Sequence, residues 1–251
     1  MAAFARAKLG RLLLVQFVFA LIAAAAVVWF LDVAWFPTIR VGIRQLPTEG
    51  KITAGKLAWS GDTPMRLAES RYLAVAVDLR HEGGARSPAH VQVEFGLSDI
   101  EIRSLLGYVP WPYPLTWNAP FNREELEPWW GAWAPEILAV AAGGTIVGLM
   151  LIWAALATLY WLPTWLLGFF ANRDLDFRGS LPLAGAGLMP GALFFSAVII
   201  LYGLGGLDPV QLMAATCTHL VIGWIFICLG VLALPRHPEV GPIRKNPFHG
   251  R

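Results

Sequence analysis

Charge is what this sequence most lacks. Only 14% of its 251 residues are charged and 57% are hydrophobic, whereas a soluble domain typically carries about a quarter charged residues. The shortfall is uneven. Residues 12–31, 137–171, 181–207 and 210–234 contain no Asp, Glu, Lys or Arg at all, and a bilayer-spanning helix needs about 20 apolar residues. Cysteine is almost absent. Cys217 and Cys228 both fall in the last apolar run, where a helical rise puts them roughly 16 Å apart, too far for an intrachain bridge. The block between the first two runs has no cysteine, so its fold does not depend on disulfides. Net charge is only +2 and no basic stripe stands out, which excludes a nucleic-acid partner. Also missing are a His-Glu-x-x-His zinc motif, a Walker phosphate loop, a Gly-x-Ser-x-Gly elbow and any Cys-x-x-Cys pair. Without them the sequence predicts neither an enzyme nor a bound cofactor or metal.

What is present predicts an α-helical integral membrane protein with about four transmembrane helices and one extracytoplasmic β-rich domain between helices 1 and 2. The expected divisions are 1–34 (N-terminus and signal-anchor helix), 35–134 (outer domain), 135–235 (transmembrane bundle) and 236–251 (tail). Ala24, Ala25 and Ala26 offer small residues for signal cleavage, but the apolar run continues through Trp29 and Phe30. That favours an uncleaved anchor. Arg6, Lys8 and Arg11 precede span one, Arg173 and Arg178 separate spans two and three, and Arg236, Arg244 and Lys245 follow span four. With an even number of spans these groups share one side, which the positive-inside rule makes the cytoplasm. The expected location is therefore a bacterial inner membrane, with both termini cytoplasmic. The outer block and the tight turn Gly205-Gly206-Leu207-Asp208-Pro209 then share the opposite side. Residues 160–170 are ambiguous. Pro163 disfavours helical geometry at Leu162, and Tyr160, Trp161 and Trp165 suit a headgroup level. They form either an interfacial segment or the end of one long tilted and kinked helix.

Within the outer block, residues 56–60, 71–79 and 91–95 carry strand patterns, 101–106 is ambiguous between strand and helix, and Gly61-Asp62 and Glu82-Gly83-Gly84 are turn signals. The segment 72–78 does not alternate cleanly, which suggests burial on both faces. The Pro- and Trp-rich residues 109–117 resist regular structure. Asn122 and Glu125 have capping-box spacing and predict a short helix ending near Pro128.

Few residues stand out as functional. Trp129, Trp130 and Trp133 precede span two, as an aromatic belt or as a surface for a lipid, glycan or partner subunit. Glu124, Glu125, Glu127 and Glu136 suit a solvated capping helix better than a carboxylate pair or cation site. His219 lies mid-span with Thr216 and Thr218 near, and an intramembrane ionisable group raises a functional hypothesis. Small residues at Ala215 and Gly223 suit a neutral packing histidine, and the competing reading is a proton relay or metal ligand. Gly143, Gly144, Gly148, Gly185, Gly187 and Gly191 offer faces for helix packing, and Pro190 predicts a kink or a late helix start. Ser196 lies within a span with no evident catalytic partner.

Leu46-Pro47, the segment Gly50-Lys-Ile-Thr-Ala-Gly-Lys-Leu57 and the extended stretch ending Val77-Asp78 resemble a bacterial family of polytopic membrane proteins, some labelled maltodextrin-utilisation proteins. The stretch from Asp174 through Met189-Pro190 is similar to the wider Yip-type membrane bundle. The resemblance implies a signal anchor, an extracytoplasmic β domain and a closing bundle, and it supplies no catalytic residues. The Trp-rich residues 111–133 depart from it. The expected function is that of a non-enzymatic accessory or scaffold subunit using its outer domain to bind a partner or ligand. Its partners would be the lipid bilayer and other membrane subunits or a second copy. The alternative is a small transporter or channel component with His219 near its pathway. A membrane enzyme acting on lipid or glycan ranks below both.

Overall fold

The computed structural model describes residues 2–237; Arg244, Lys245 and the rest of the tail beyond His237 lie outside the described residues. Among the described residues, four helices are long and apolar enough to cross a membrane: Leu9–Arg44, Arg123–Phe170, Phe177–Gly203 and Pro209–Leu232. A β domain follows the first of them. This is the organisation of a membrane protein carrying a β domain.

The first helix begins as α1 (Leu9–Phe30), passes through a π-helical turn at Leu31–Trp35 and continues as α2 (Phe36–Arg44). At 1.5 Å per residue its 36 residues extend about 54 Å, well beyond the ~30 Å of a hydrocarbon core. The change of role is written in the sequence. α1 is apolar on every face, whereas α2 buries Phe36, Thr38 and Gly42 and exposes Arg40 and Arg44. The outer block, expected as β-rich from residue 35, thus opens on a helix.

α3 (Arg123–Phe170) is one helix of 48 residues, about 72 Å long. It corrects one expectation, since the capping helix does not end near Pro128. Of the two readings of residues 160–170, the structure has the long helix, of which they are the last turns. An interior proline costs about 3 kcal/mol, but in apolar surroundings no water would satisfy an opened backbone, so staying helical is the cheaper course. Its start is as the spacing predicts. The Glu125 amide donates to Asn122 Oδ1 at 3.0 Å, and Asn122 Nδ2 donates to Glu125 Oε1 at 3.1 Å. The third span is broken at Leu188, between α4 (Phe177–Gly187) and α5 (Met189–Gly203), next to Pro190. The fourth is α6 (Pro209–Leu232).

The chain divides into two units. One gathers residues up to Ala24, Gly144–Val198 and those from Met213 on; the other comprises Ala25–Gly143 and Ile199–Leu212. In the first unit α4 is buried, with Leu183, Ala184 and Ala186 fully enclosed. Glycines make the approach possible. A Cβ on Gly187 would lie 2.4 Å from Ile227 Cγ1, and one on Gly191 would lie 2.6 Å from the His219 carbonyl oxygen. Gly185, Gly187 and Gly191 therefore pack helices as expected, whereas a Cβ on Gly143, Gly144 or Gly148 would meet nothing within 4 Å beyond its own helix backbone, among the described residues. At one end Arg6 pairs with Asp174 at 2.6 Å, and Arg173 donates to the Leu234 carbonyl at 2.9 Å. The N-terminal segment, the α3–α4 loop and the residues after α6 thus meet.

The second unit holds the β domain. Strands β1 (Gly50–Thr53), β2 (Lys56–Trp59) and β8 (Asn118–Pro120) form a three-stranded sheet in the order β2-β1-β8. Strands β3 (Met65–Glu69), β4 (Leu73–Val77), β5 (Val91–Phe95), β6 (Asp99–Ser104) and β7 (Gly107–Pro112) form a five-stranded sheet in sequence order. Only the β4–β5 pair is parallel. β7 corrects the expectation of irregular structure after Tyr108. It is an edge strand, where a proline forfeits no ladder bond. Leu46, Ile52, Leu57, Leu67, Val77, Tyr113 and Phe121 form the core. The turn after α5 belongs to this unit. Arg71 donates to the Gly205 and Leu207 carbonyls at 2.7 and 3.0 Å, and the Tyr72 hydroxyl is shared between the carbonyls of Tyr202 and Gly203.

Candidate functional site

The five-stranded sheet has two different faces because side chains alternate along each strand. On one face Leu73 and Val75 of β4 and Val93 and Phe95 of β5 look toward α2. Between them and Trp35, Ile39 and Ile43 lies a half-open pocket of about 280 Å³, bounded elsewhere by core residues, whose walls carry no polar surface. Packing of α2 over β3 and β4 makes its roof. The volume is close to the lower end of small-ligand pockets, about 300 Å³.

The other face is polar and covered. Gln92 and Glu94 of β5 stand opposite Arg103 and Glu101 of β6, and Glu94 is fully buried. The small residues Ala74 and Ala76 on neighbouring β4 register with them and leave room. His81, in the loop between β4 and β5, closes the cluster. Its Nδ1 is 2.6 Å from Glu94 Oε1 and 3.3 Å from Glu101 Oε2, and its Nε2 is 3.3 Å from Asp99 Oδ1. Asp78 holds this loop by accepting from the amides of Gly83 and Arg80. Arg103 bonds both Glu94 and Glu101. Burial acts to lower the His81 pKa, but its hydrogen bonds to Glu94 and Asp99 and the charges of Asp99 and Glu101 outweigh that and raise it. Neither face of this sheet was singled out from the sequence. The available signal was Gln92 and Glu94 alternating with Val91, Val93 and Phe95, a pattern that places polar side chains on one side of a buried strand.

The residues that were singled out lie apart from both faces. Trp129 and Trp133 are exposed on α3 and stack at 6.3 Å. Trp130 instead packs against Phe36, at 4.8 Å, and is 8% exposed, so it belongs to the core rather than to an interaction surface. Glu127 pairs with Arg44 and Arg123 at 3.0 and 3.3 Å, while Glu124, Glu125 and Glu136 are exposed. On α6, His219 Nδ1 meets the Thr216 carbonyl, its ring lies 5.3 Å from Phe195, and the Thr218 hydroxyl donates to the Ala214 carbonyl at 2.8 Å. These bonds stay within the helix's own backbone and do not converge on a shared point. Ser196 likewise donates to the Ala192 carbonyl.

Comparison with protein-family models, with curated proteins and with solved structures found no match to this chain.

Proposed function

We propose that the chain is a non-enzymatic membrane protein whose β domain holds a hydrocarbon chain, that of a lipid or lipid-linked molecule, in the cavity beneath α2. The observation that carries this reading is the cavity itself, about 280 Å³ with no polar wall. A space of that kind offers a ligand no hydrogen bond, so only an apolar group is favoured in it. Its roof continues directly from the apolar helix α1, which supports an occupant drawn from lipid. In this reading the β domain and the turn after α5 lie outside the cytoplasmic membrane. The basic groups at Arg6, Arg173 and Arg236 lie on its cytoplasmic side. The test is an acyl-diazirine photoprobe applied to the protein in lipid vesicles. Labelling is expected on peptides carrying Leu73, Val75, Val93 and Phe95, besides the spans. Labelling confined to the spans would sink the proposal.

A second reading, as an accessory subunit that docks a protein partner, has its own support. The β6–β7 hairpin and the residues after it expose Leu106, Tyr108, Trp111 and Leu115 by 61–81%, a concentration of apolar side chains of the kind found at interaction sites. Crosslinks from this hairpin to a co-purifying subunit would support it; a monodisperse, partner-free monomer from gently solubilised membranes would count against it.

A further inference from the structure

We propose that His81, Glu94 and Glu101 form a binding site for a divalent first-row metal cation, with Zn²⁺ the best fit. The register of β5 and β6 sets two glutamates side by side. Glu94 and Glu101 are directly paired across the two strands, and like charges in that position repel. Glu94 is fully buried and Glu101 nearly so, so water screens neither. With Asp99, three carboxylates converge on the His81 ring, against one guanidinium, that of Arg103. With the imidazole neutral, two negative charges remain, and a dication neutralises them.

The geometry suits such an ion. His81 Nδ1 and one oxygen from each glutamate lie within 4.8 Å of one another, and Nδ1 is 2.6 and 3.3 Å from the two oxygens. Ligands about 2.1 Å from a common zinc ion sit roughly 3–3.5 Å apart, so the set closes on an ion with small side-chain adjustments. Asp99 completes the pattern. It faces Nε2, the far nitrogen, and by accepting a hydrogen bond from Nε2–H it fixes the tautomer that presents the Nδ1 lone pair to the glutamates. That is the outer-shell carboxylate usual for metal-bound histidine. Gly96 admits the ring. A Cβ there would lie 2.1 Å from His81 Nε2, so the chain leaves a side chain out where the imidazole must lie. Arg103 occupies the glutamates without the metal. In the bound state it withdraws toward Tyr108, whose ring its guanidinium already faces at 5.9 Å. Three protein ligands leave a coordination position open. Calcium, which takes 6–8 oxygens, fits poorly.

The experiment is calorimetric titration of ZnCl₂ into full-length, tag-free protein in detergent after chelator treatment, with Co²⁺ absorption as a report on nitrogen coordination. The expected result is one Zn²⁺ per chain, with Ca²⁺ at least tenfold weaker. His81→Gln abolishes the site. Asp99→Asn weakens it about 10–100-fold, and Gly96→Ala weakens it although every ligand atom remains. Arg103→Gln tightens binding, because no guanidinium has to be displaced. Absence of stoichiometric binding in the wild-type protein, or binding unchanged in a folded His81→Gln protein, overturns the proposal. So does an Arg103→Gln variant with wild-type affinity, since the cluster would then be an ion-pair network alone.

Discussion

Replacing Val93 with phenylalanine distinguishes a ligand cavity from a well-packed core by the sign of one number. Val93 is half-buried on β5 and lines the cavity of about 280 Å³. The pocket is half open, so the cost of about 24 cal/mol per Å³ found for enclosed cavities applies only to its covered part. A phenyl ring at position 93 enters the empty space and is expected to raise the stability of lipid-stripped protein by about 0.5–2 kcal/mol. Hydrocarbon supplied at 100 times its dissociation constant should stabilise the wild-type chain by about 2.7 kcal/mol, and Val93→Phe should no longer respond. Urea unfolding of the full-length protein in detergent, with and without a free fatty acid, measures both. If Val93→Phe instead destabilises by the about 1–3 kcal/mol typical of overpacking, and fatty acid leaves the wild-type midpoint unmoved, the cavity reasoning is refuted.

Tyr72→Phe removes the hydroxyl that the Tyr202 and Gly203 carbonyls share; a loss of about 1 kcal/mol should appear as faster hydrogen exchange across residues 203–207. Asn122→Ala deprives the Glu125 amide of its acceptor and should cost about 1 kcal/mol, read as fraying of the first turn of α3 by the same method. Gly191→Ala places a methyl group 2.6 Å from the His219 carbonyl oxygen and should lower the thermal midpoint, whereas a glycine with open space, such as Gly148, should accept alanine without loss. Burial, seconded by Arg71 and opposed by Asp208, holds the His90 pKa below its ordinary 6.5. The folded form therefore keeps the ring neutral beside Tyr72 and Tyr202. Its contribution is complete above pH 6.5 and is lost as pH falls through the lowered folded value. The stability difference between wild type and His90→Gln should accordingly shrink on acidification, and a difference constant from pH 7.5 to 5 would refute the assignment.

The membrane half of the fold was legible because hydropathy over about 20 residues is a strong signal, and each apolar run lies on one of the four long helices. The helix ends were less so. α1 continues into α2, and α3 starts at Arg123 rather than near Ile137, because polar residues such as Glu124 and Glu127 are as welcome on a helix projecting from a bilayer as on a loop. In the β domain, residues 56–60, 71–79 and 91–95 stood out through apolar or alternating patterns, while β1, β3, β7 and β8 did not. Met65-Arg-Leu-Ala-Glu69 has no strong strand preference, and Pro110 and Pro112 conceal an edge strand. The candidate sites were the least visible part. Trp130 and Trp129 are neighbours in sequence with opposite fates, decided by which face of α3 meets Phe36. The cavity and the His81 cluster depend on pairing between β4, β5 and β6 and on a loop that returns over the sheet, and no local pattern encodes such contacts.

The most direct measurement is the structure of the protein purified and imaged in lipid, viewed at the space enclosed by Trp35, Ile39, Val75, Val93 and Phe95. Elongated non-protein density filling that space is the expected result, beside the contact of α2 with β4 at Gly42. Side chains closed over the space, with no density in it, would contradict the proposal.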